Sequence, residues 1–356
     1  MPLLSTLGGG SVRGFGGIGA SGGVGGLPLS NITFLVGGQN GYNGPSIGAL
    51  PYGTRSDLVD LNFSVDSTGI QSLDVPEPGT YNYTIEGASS VIQYYSGGFQ
   101  TSPDYGRGAK FSGTLTIGPS DIGQRLFIAV GQLPANTNNY ANAYGGQAPT
   151  TGDCFNGGGG GTFLAIGSSL STSLPIIVAG GGGSIRGGYT GNQTLTNAST
   201  DFSGSGNAGQ DGNTVAGTGG SGGYGLAESD QGTAGSGFSG RGDPNLNDAG
   251  SWASGAYYGA SAQAFIDGAQ GAIATSVGGS TTQPSGGFGG GGAGGWGGSG
   301  AGGGYSGGGG GTNDGTANRG HGGGGGNYRD TSRTTAASNP VATQSGPGTL
   351  SLSFVS

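Results

Sequence analysis

The stretch GGFGGGGAGGWGGSGAGGGYSGGGGG, Gly286–Gly311, contains 19 glycines among its 26 residues. Glycine has no side chain to bury and loses more backbone freedom on folding than any other residue. Fixing one backbone costs about 1–2 kcal/mol, whereas a hydrogen bond returns only about 0.5–1.5 kcal/mol net. We therefore expect this stretch to be ordered only where neighbouring chain segments satisfy its peptide groups and another part of the protein supports it.

Polyglycine can meet these conditions as a bundle of extended left-handed helices with about three residues per turn, the polyglycine II conformation. Aromatic residues recur in the stretch at Phe288, Trp296 and Tyr305. Either one helix carries all three on nearly one face, or each marks the end of a short rod where the chain reverses. The second alternative suits a compact bundle better, and in both the three aromatics have a structural role.

Composition and charge exclude several classes of protein. The 356 residues include 94 glycines and 15 prolines, a proportion typical of low-complexity sequence. The net charge is −8 and Lys110 is the only lysine, so we expect no nucleic-acid partner, because such binding depends on cations that neutralise phosphates. The apolar run Leu174–Ala179 is far shorter than the roughly 20 residues of a membrane-spanning helix, so we expect no membrane insertion.

Short runs rich in Val, Ile, Thr, Phe and Tyr indicate β-strands between residues 55 and 188. They are SDLVDLNFSV, GTYNYTIEGA, KFSGTLTIG, RLFIAVGQ, GTFLAIG and PIIVAGG. Several alternate apolar and polar residues, as half-buried strands do, and no stretch shows the 3.6-residue period of an amphipathic helix. The sequence therefore predicts an all-β sandwich with very little α-helix.

Changes in composition predict four parts of the chain. Residues 1–54 form a Gly/Ser-rich attachment arm with one apolar island, and residues 55–190 form the sandwich. Residues 191–345 form the glycine-rich bundle with variable loops, and residues 346–356 supply a C-terminal strand that returns to the sandwich.

Three segments resemble the extracellular glycine-rich region of the anaplastic lymphoma kinase and leukocyte tyrosine kinase receptors. They are GIQSLDVPEPGTYNYTIEGASS (Gly69–Ser90), RLFIAVGQ (Arg125–Gln132) and GGGGGTFLAIGSSLSTSLPIIVAGGGGS (Gly157–Ser184), and the resemblance extends over residues 69–311. It implies a TNF-like or jelly-roll β-sandwich with an inserted bundle of polyglycine helices. We transfer no ligand-contact residue and no signalling role from those receptors to this sequence.

In overall composition the chain is also similar to the glycine-rich adhesins at the tips of bacteriophage tail fibres. Those proteins pack polyglycine helices and present variable loops from one end of the bundle. The segment SWASGAYYGASAQAFIDG (Ser251–Gly268) lies between two glycine blocks. Exposed Tyr and Trp give large contact areas at low entropic cost, so we predict a receptor-binding cluster of Trp252, Tyr257, Tyr258 and Phe265. The alternative is that these side chains pack on the bundle and join it to the sandwich.

Enzyme chemistry, metal binding and cofactor binding have little support. The single histidine, His321, and the single cysteine, Cys154, lie far apart in the sequence and form no catalytic pattern. The run that begins at Asp243 fails the calcium-loop pattern, because Asp248 stands where that pattern needs glycine and Ser254 where it needs glutamate. Gly-x-Gly-x-x-Gly matches are expected by chance in so glycine-rich a chain. We expect no catalytic, metal-binding or cofactor-binding residue.

The sequence thus favours a virion structural protein, a bacteriophage tail-fibre or tail-tip adhesin that binds a host-surface glycan or protein. Residues 1–54 would contact other virion proteins, and a homo-oligomer, with a trimer favoured, is expected. The N-terminal stretch MPLLSTLGGGSVRGFGG shows no secretory signal, so we expect synthesis in the host cytoplasm. The alternatives are a capsid-decoration, collar or nozzle component without a receptor role, and a cell-surface or secreted glycine-rich binding module.

Overall fold

The structure is a computed structural model. It describes residues 29, 31–52, 55–90, 105–135, 156–185, 193–209, 214–225, 232–242, 261–273, 285–295, 298–312 and 320–356. Two short α-helices lie among them, α1 (Ser56–Asp60) and α2 (Gln193–Thr196). The described strands, in chain order, are β1 (Ile32–Phe34), β2 (Ser64–Val65), β3 (Gln71–Asp74), β4 (Gly79–Glu86), β5 (Gly108–Ile117), β6 (Arg125–Ala129), β7 (Thr162–Gly167), β8 (Leu174–Ala179), β9 (Tyr328–Arg329), β10 (Thr334–Ala336), β11 (Val341–Gln344) and β12 (Thr349–Phe354).

These strands form two six-stranded antiparallel sheets. Sheet A has the order β1-β12-β4-β5-β10, and β11 also pairs with β5. Sheet B has the order β2-β3-β6-β7-β8-β9. The expectation of an all-β sandwich with very little helix is confirmed.

The two sheets differ in how many of their faces are buried. In β4 of sheet A, Tyr81, Tyr83 and Ile85 enter the core between the sheets, whereas the intervening Asn82 and Thr84 point outward. In β6 of sheet B, by contrast, Ile128 faces that core while Phe127 joins a second apolar cluster on the outer face. A sheet covered on both faces has nearly continuous apolar strands, which accounts for the runs RLFIAV and TFLAIG.

The sandwich extends beyond the boundaries predicted from composition. Within the proposed attachment arm, Leu29, Phe34 and Tyr52 are buried in the core, and β1 pairs with β12. At the other end, β10 and β11 pair with β5 although they fall within the range 191–345. Gly/Ser-rich flanks conceal these strands, because composition averaged over a long window gives little weight to short apolar islands.

An ion pair with a buried carboxylate joins the turn before β10 to the 3₁₀ turn Pro119–Asp121 between β5 and β6. Asp121 has a side chain only 2% exposed, and its Oδ2 lies 2.5 Å from Arg333 Nη1. The backbone N–H of Gly118 donates to the same oxygen at 2.9 Å. Burial alone would raise the pKa of the Asp121 carboxyl, but the hydrogen bonds from Arg333 and Gly118 outweigh it and hold that pKa below its ordinary value.

The substitution Asp121→Asn is therefore expected to lower the free energy of unfolding at pH 7 by about 1–3 kcal/mol. Because the folded-state pKa is depressed, the carboxylate stabilises the fold fully above its unfolded-state pKa of about 3.9 and loses this effect as pH falls through the folded-state value. Urea unfolding should therefore separate variant from wild type at pH 7 and much less at pH 3. Asp267→Asn is the matched control, since its pair with Arg241 is exposed and the expected change is under about 1 kcal/mol. A difference that is equal at both pH values would contradict the assignment.

Candidate functional site

The glycine-rich region packs on the outer face of sheet B through an aromatic cluster. Sheet B contributes Phe163 from β7 and Tyr328 from β9, and the glycine-rich region contributes Phe238, Phe265 and Tyr305. The ring centroids of Phe163 and Phe265 are 4.9 Å apart, those of Phe265 and Phe238 5.1 Å, those of Phe238 and Tyr305 6.4 Å, and those of Tyr305 and Tyr328 4.3 Å. Five rings thus run in a continuous row from one strand of sheet B to another through the glycine-rich region.

The chain turns directly after two buried aromatic residues, Phe265 and Phe288. Gly268 has φ 110°, Gly289 φ 95° and Gly290 φ 83°, left-handed values that side chains disfavour. Gly289 and Gly290 follow the fully buried Phe288, and Gly268 follows the short 3₁₀ turn that carries Phe265. The turn at Phe288 agrees with the alternative in which the aromatic residues mark chain reversals, and the rods between them stay a prediction.

The segment Ser299–Tyr305, called the central segment below, lies inside the glycine-rich region. Its backbone N–H groups donate in turn to three neighbouring segments, so residues three apart donate to the same neighbour. To the first neighbour, the N–H groups of Gly300 and Gly303 donate to the carbonyl oxygens of Asn156 (2.8 Å) and Gly159 (3.0 Å). To the second, those of Ala301 and Gly304 donate to Thr233 (3.1 Å) and Ser236 (3.3 Å). To the third, those of Gly302 and Tyr305 donate to Gly323 and Gly326 (both 2.9 Å). The backbone therefore repeats with a period of three residues.

Three further segments donate to the carbonyl groups of the central segment. The bonds are Gly181 to Gly303 (2.7 Å) and Ser184 to Gly300 (2.9 Å), Gly308 to Gly302 (3.0 Å) and Gly311 to Ser299 (2.9 Å), and Gly292 to Ala301 (2.7 Å). The central segment thus has six hydrogen-bonded neighbours. Such close approach excludes side chains: a Cβ added at Gly304 would lie 2.6 Å from the carbonyl oxygen of Gly326.

The same period recurs in the surrounding segments. Gly322 and Gly325 donate to Ser184 and Gly181, each at 2.9 Å. Gly232 and Gly235 donate to Gly311 and Gly308, each at 3.0 Å. We call this network of backbone bonds the glycine lattice.

Several segments of the glycine lattice end together in one layer at the Ser299 end of the central segment, opposite to Tyr305, whose ring stacks on Tyr328 of sheet B. Ser299 N donates to Gly320 O at 2.6 Å, Gly232 N donates to Gly311 O at 3.0 Å, and Gly300 N donates to Asn156 O at 2.8 Å. Gly295 N donates to Gly298 O at 2.8 Å and closes a reversal there. We call this layer the distal end. The connections 136–155, 226–231, 296–297 and 313–319, which lie outside the described residues, begin or finish there.

The predicted receptor-binding residues fall into two groups. Phe265 is fully buried within the aromatic cluster, so its ring cannot contact a receptor, and it joins the glycine-rich region to the sandwich as the alternative foresaw. Trp252, Tyr257 and Tyr258 lie outside the described residues. Gly242 N, at one end of that connection, donates to Ala262 O beyond its other end at 3.1 Å, so the connection leaves and re-enters the lattice at neighbouring points.

The predicted structural aromatics are placed as follows. Phe288 is fully buried in the apolar cluster on the outer face of sheet B, and Tyr305 is partly buried in the row of rings on the same face. Trp296 lies outside the described residues, next to the reversal closed by Gly295. Sequence reasoning missed Phe238, although an isolated aromatic in GSGFSG carries the same signal as Phe288 and Tyr305.

Within the described part of the chain, few side chains could support catalysis or metal binding. No group of three or more His, Cys, Asp or Glu side chains is placed to hold a metal ion. His321 is buried in the glycine lattice, 1% exposed, and Cys154 lies outside the described residues. The described helices include none with the length and apolar character that a bilayer crossing requires.

A comparison of the chain with models of known protein families and with curated proteins finds no match.

Proposed function

We propose that this chain is a virion structural protein, a bacteriophage tail-fibre or tail-tip adhesin that binds a receptor on the host surface non-covalently. The observation that carries the proposal is the distal end, where several connections begin or finish on a base held by backbone hydrogen bonds. A base held by backbone hydrogen bonds suits recognition, because binding then loses little conformational entropy in the base.

The proposal includes polyglycine II helices in the glycine lattice and a TNF-like arrangement of the sandwich. A three-residue hydrogen-bond period matches the roughly three residues per turn of polyglycine II. Left-handed φ values occur at turns such as Gly219, Gly220 and Gly289, whereas the glycines of the central segment have none. Backbone torsion angles near φ −75° and ψ +145° in a high-resolution crystal structure would support this assignment, and extended β values near φ −140° would refute it.

Trp252, Tyr257 and Tyr258 are the proposed receptor contacts, and Phe265 is no longer among them. Aromatic side chains bury large areas on binding and often dominate the affinity of an interface. A host-surface glycan or protein is the proposed receptor. Of the proposed attachment arm, residues 1–28 are left to contact other virion proteins, because much of 29–52 belongs to the sandwich. A homo-oligomer, with a trimer favoured, remains part of the proposal.

The test uses the purified full chain, labelled with a fluorophore, on a panel of bacterial strains. The wild type should bind a subset of strains, and the triple variant Trp252→Ala, Tyr257→Ala, Tyr258→Ala should bind at least about a hundredfold more weakly, since alanine at hot-spot residues costs about 2 kcal/mol or more each. Val341→Ala is the control, because its side chain is 47% exposed on sheet A, away from the glycine lattice. Equal binding by the triple variant would remove these contacts from the proposal. Absence of binding to every strain, with binding instead to isolated phage particles, would favour the decoration or collar alternative.

A further inference from the structure

The outer face of sheet A carries a groove that crosses β1, β12 and β4. Its floor is the paired row Ile32, Leu352 and Tyr83, whose side chains turn into the core and leave only backbone at the surface. Two rows of outward side chains form its walls. One wall is Thr33, Ser351 and Thr84, and the other is Asn31, Ser353 and Asn82.

The dimensions of this groove suit a ligand the size of one ring. The walls stand two residues apart along each strand, or about 7 Å, and three strands span about 10 Å. The volume between them is about 190 Å³. Pockets for drug-sized ligands hold about 300–1,000 Å³, so this groove takes something smaller.

The walls are densely polar but carry no charge. Thr33 Oγ1 and Ser351 Oγ bond to each other at 2.8 Å. The side chains of Asn31, Asn82, Thr84 and Ser353 make no hydrogen bond to another described residue, so their donors and acceptors are available to a ligand.

The charged side chains beside the groove are each paired with an opposite charge. Arg55, which donates to the backbone oxygen of Asn31, pairs with Asp57 at 2.6 Å. Lys110 pairs with Glu86, two residues beyond Thr84 on β4, at 2.6 Å. The groove therefore offers no unpaired charge to attract an ionic ligand.

We propose that this groove binds a pyranose ring of a neutral saccharide. Such a ring carries hydroxyl groups around its edge that both donate and accept hydrogen bonds. Each asparagine amide supplies two donors and one acceptor oxygen, and each Ser or Thr hydroxyl supplies both functions. An apolar ligand would leave these groups unpaired, and an anionic ligand would find no cation. The site is on the sandwich and does not depend on the distal end.

The test measures amide chemical shifts of the full chain by NMR during titration with methyl glycosides of galactose, glucose, mannose and N-acetylglucosamine. At least one should shift the amides of the groove walls, and Asn82→Ala should weaken its binding about tenfold, the effect of losing one or two hydrogen bonds to a ligand. Asn31→Ala, on an edge strand, provides a second reading should Asn82→Ala fail to fold. Thr116→Ala is the matched control, because Thr116 is exposed on the same face and lies outside the groove.

Each outcome decides the proposal. Binding that weakens in the groove variants and persists in Thr116→Ala supports it. Failure of all four sugars to shift the wall amides, or binding unchanged in both groove variants, overturns it. Binding that disappears only in the triple variant of Trp252, Tyr257 and Tyr258 also overturns it and assigns the sugar to the proposed receptor contacts. Retention of sugar binding by that triple variant, with loss of cell binding, separates this site from the proposed receptor contacts.

Discussion

Replacing Phe265 by alanine is expected to lower the free energy of unfolding by about 3–5 kcal/mol, the cost of removing a buried phenyl ring from a packed core. Phe265 is fully buried, with its ring stacked 4.9 Å from Phe163 of sheet B and 5.1 Å from Phe238 of the glycine-rich region. Its loss would interrupt the row of rings at the point where the two parts meet. Since single domains are stable by only about 5–15 kcal/mol, urea unfolding should show the change clearly.

Two probes make this prediction sharper. Both tryptophans, Trp252 and Trp296, belong to the glycine-rich region, so their fluorescence reports on that region, whereas far-UV circular dichroism reports mainly on the sandwich strands. Coincident transitions are expected in the wild type and separated ones in Phe265→Ala, because the stack couples the two parts. Tyr224→Ala, at a ring 38% exposed, should change stability by under about 0.5 kcal/mol. A similarly small effect for Phe265→Ala would show that the stack does not join them.

The strands that sequence patterns predicted best are those with the clearest periodicity. GTYNYTIE alternates buried and outward residues, and it forms β4 over Gly79–Glu86. The runs that form β6 and β7 were predicted as strands from their composition, but the burial of both faces follows only from knowing what covers sheet B. That cover comes from residues more than a hundred positions further along the chain, such as Phe288, and no local pattern relates the two.

Residues 31–52 show where composition misleads. Phe34 sits in a short apolar island between Gly/Ser-rich flanks, and its three-residue strand is stabilised by pairing with β12 near the other end of the chain. A strand of this length has too few contacts of its own to be recognised from sequence. Its membership of the sandwich depends on a partner more than three hundred residues away.

The candidate site residues, like the strands, include some that sequence patterns predict and some that only the structure shows. Phe265 and Tyr257 look alike in sequence, as aromatics among small residues, and only the three-dimensional structure shows that Phe265 packs on Phe163. Chain reversal at Phe288 was one of the two alternatives that the spacing of aromatics among glycines left open. The groove on sheet A could not be foreseen, because its walls combine residues near 31, 82 and 353 that only strand register brings together.

The substitution Gly302→Ala is expected to lower the free energy of unfolding by about 3 kcal/mol or more, at or above the upper end for overpacked cores. An added Cβ would overlap the carbonyl oxygen of Gly181, and that oxygen belongs to backbone rather than to a side chain that could turn away. Gly302 also donates to Gly323 at 2.9 Å within the three-residue period, so a shift of the central segment would break bonds to several neighbours. Thermal and urea unfolding of the full chain measure the effect.

Two controls separate this clash from the general effect of replacing glycine. Gly48→Ala should be neutral or slightly stabilising, because a Cβ there meets nothing within 4 Å and alanine restricts the unfolded chain.

The double variant Ala301→Gly, Gly302→Ala keeps the composition and moves one methyl group by one residue. Ala301 already carries a fully buried methyl group in the central segment, so the lattice accepts a methyl at 301 and should reject it at 302. If the double variant unfolds like the wild type, the segment tolerates side chains in any register and the six-neighbour packing cannot be what orders it. If it is destabilised while Gly48→Ala is not, the order of the central segment depends on the position of each glycine. Each N–H group of that segment donates to one backbone carbonyl at a distance that a misplaced methyl group would prevent.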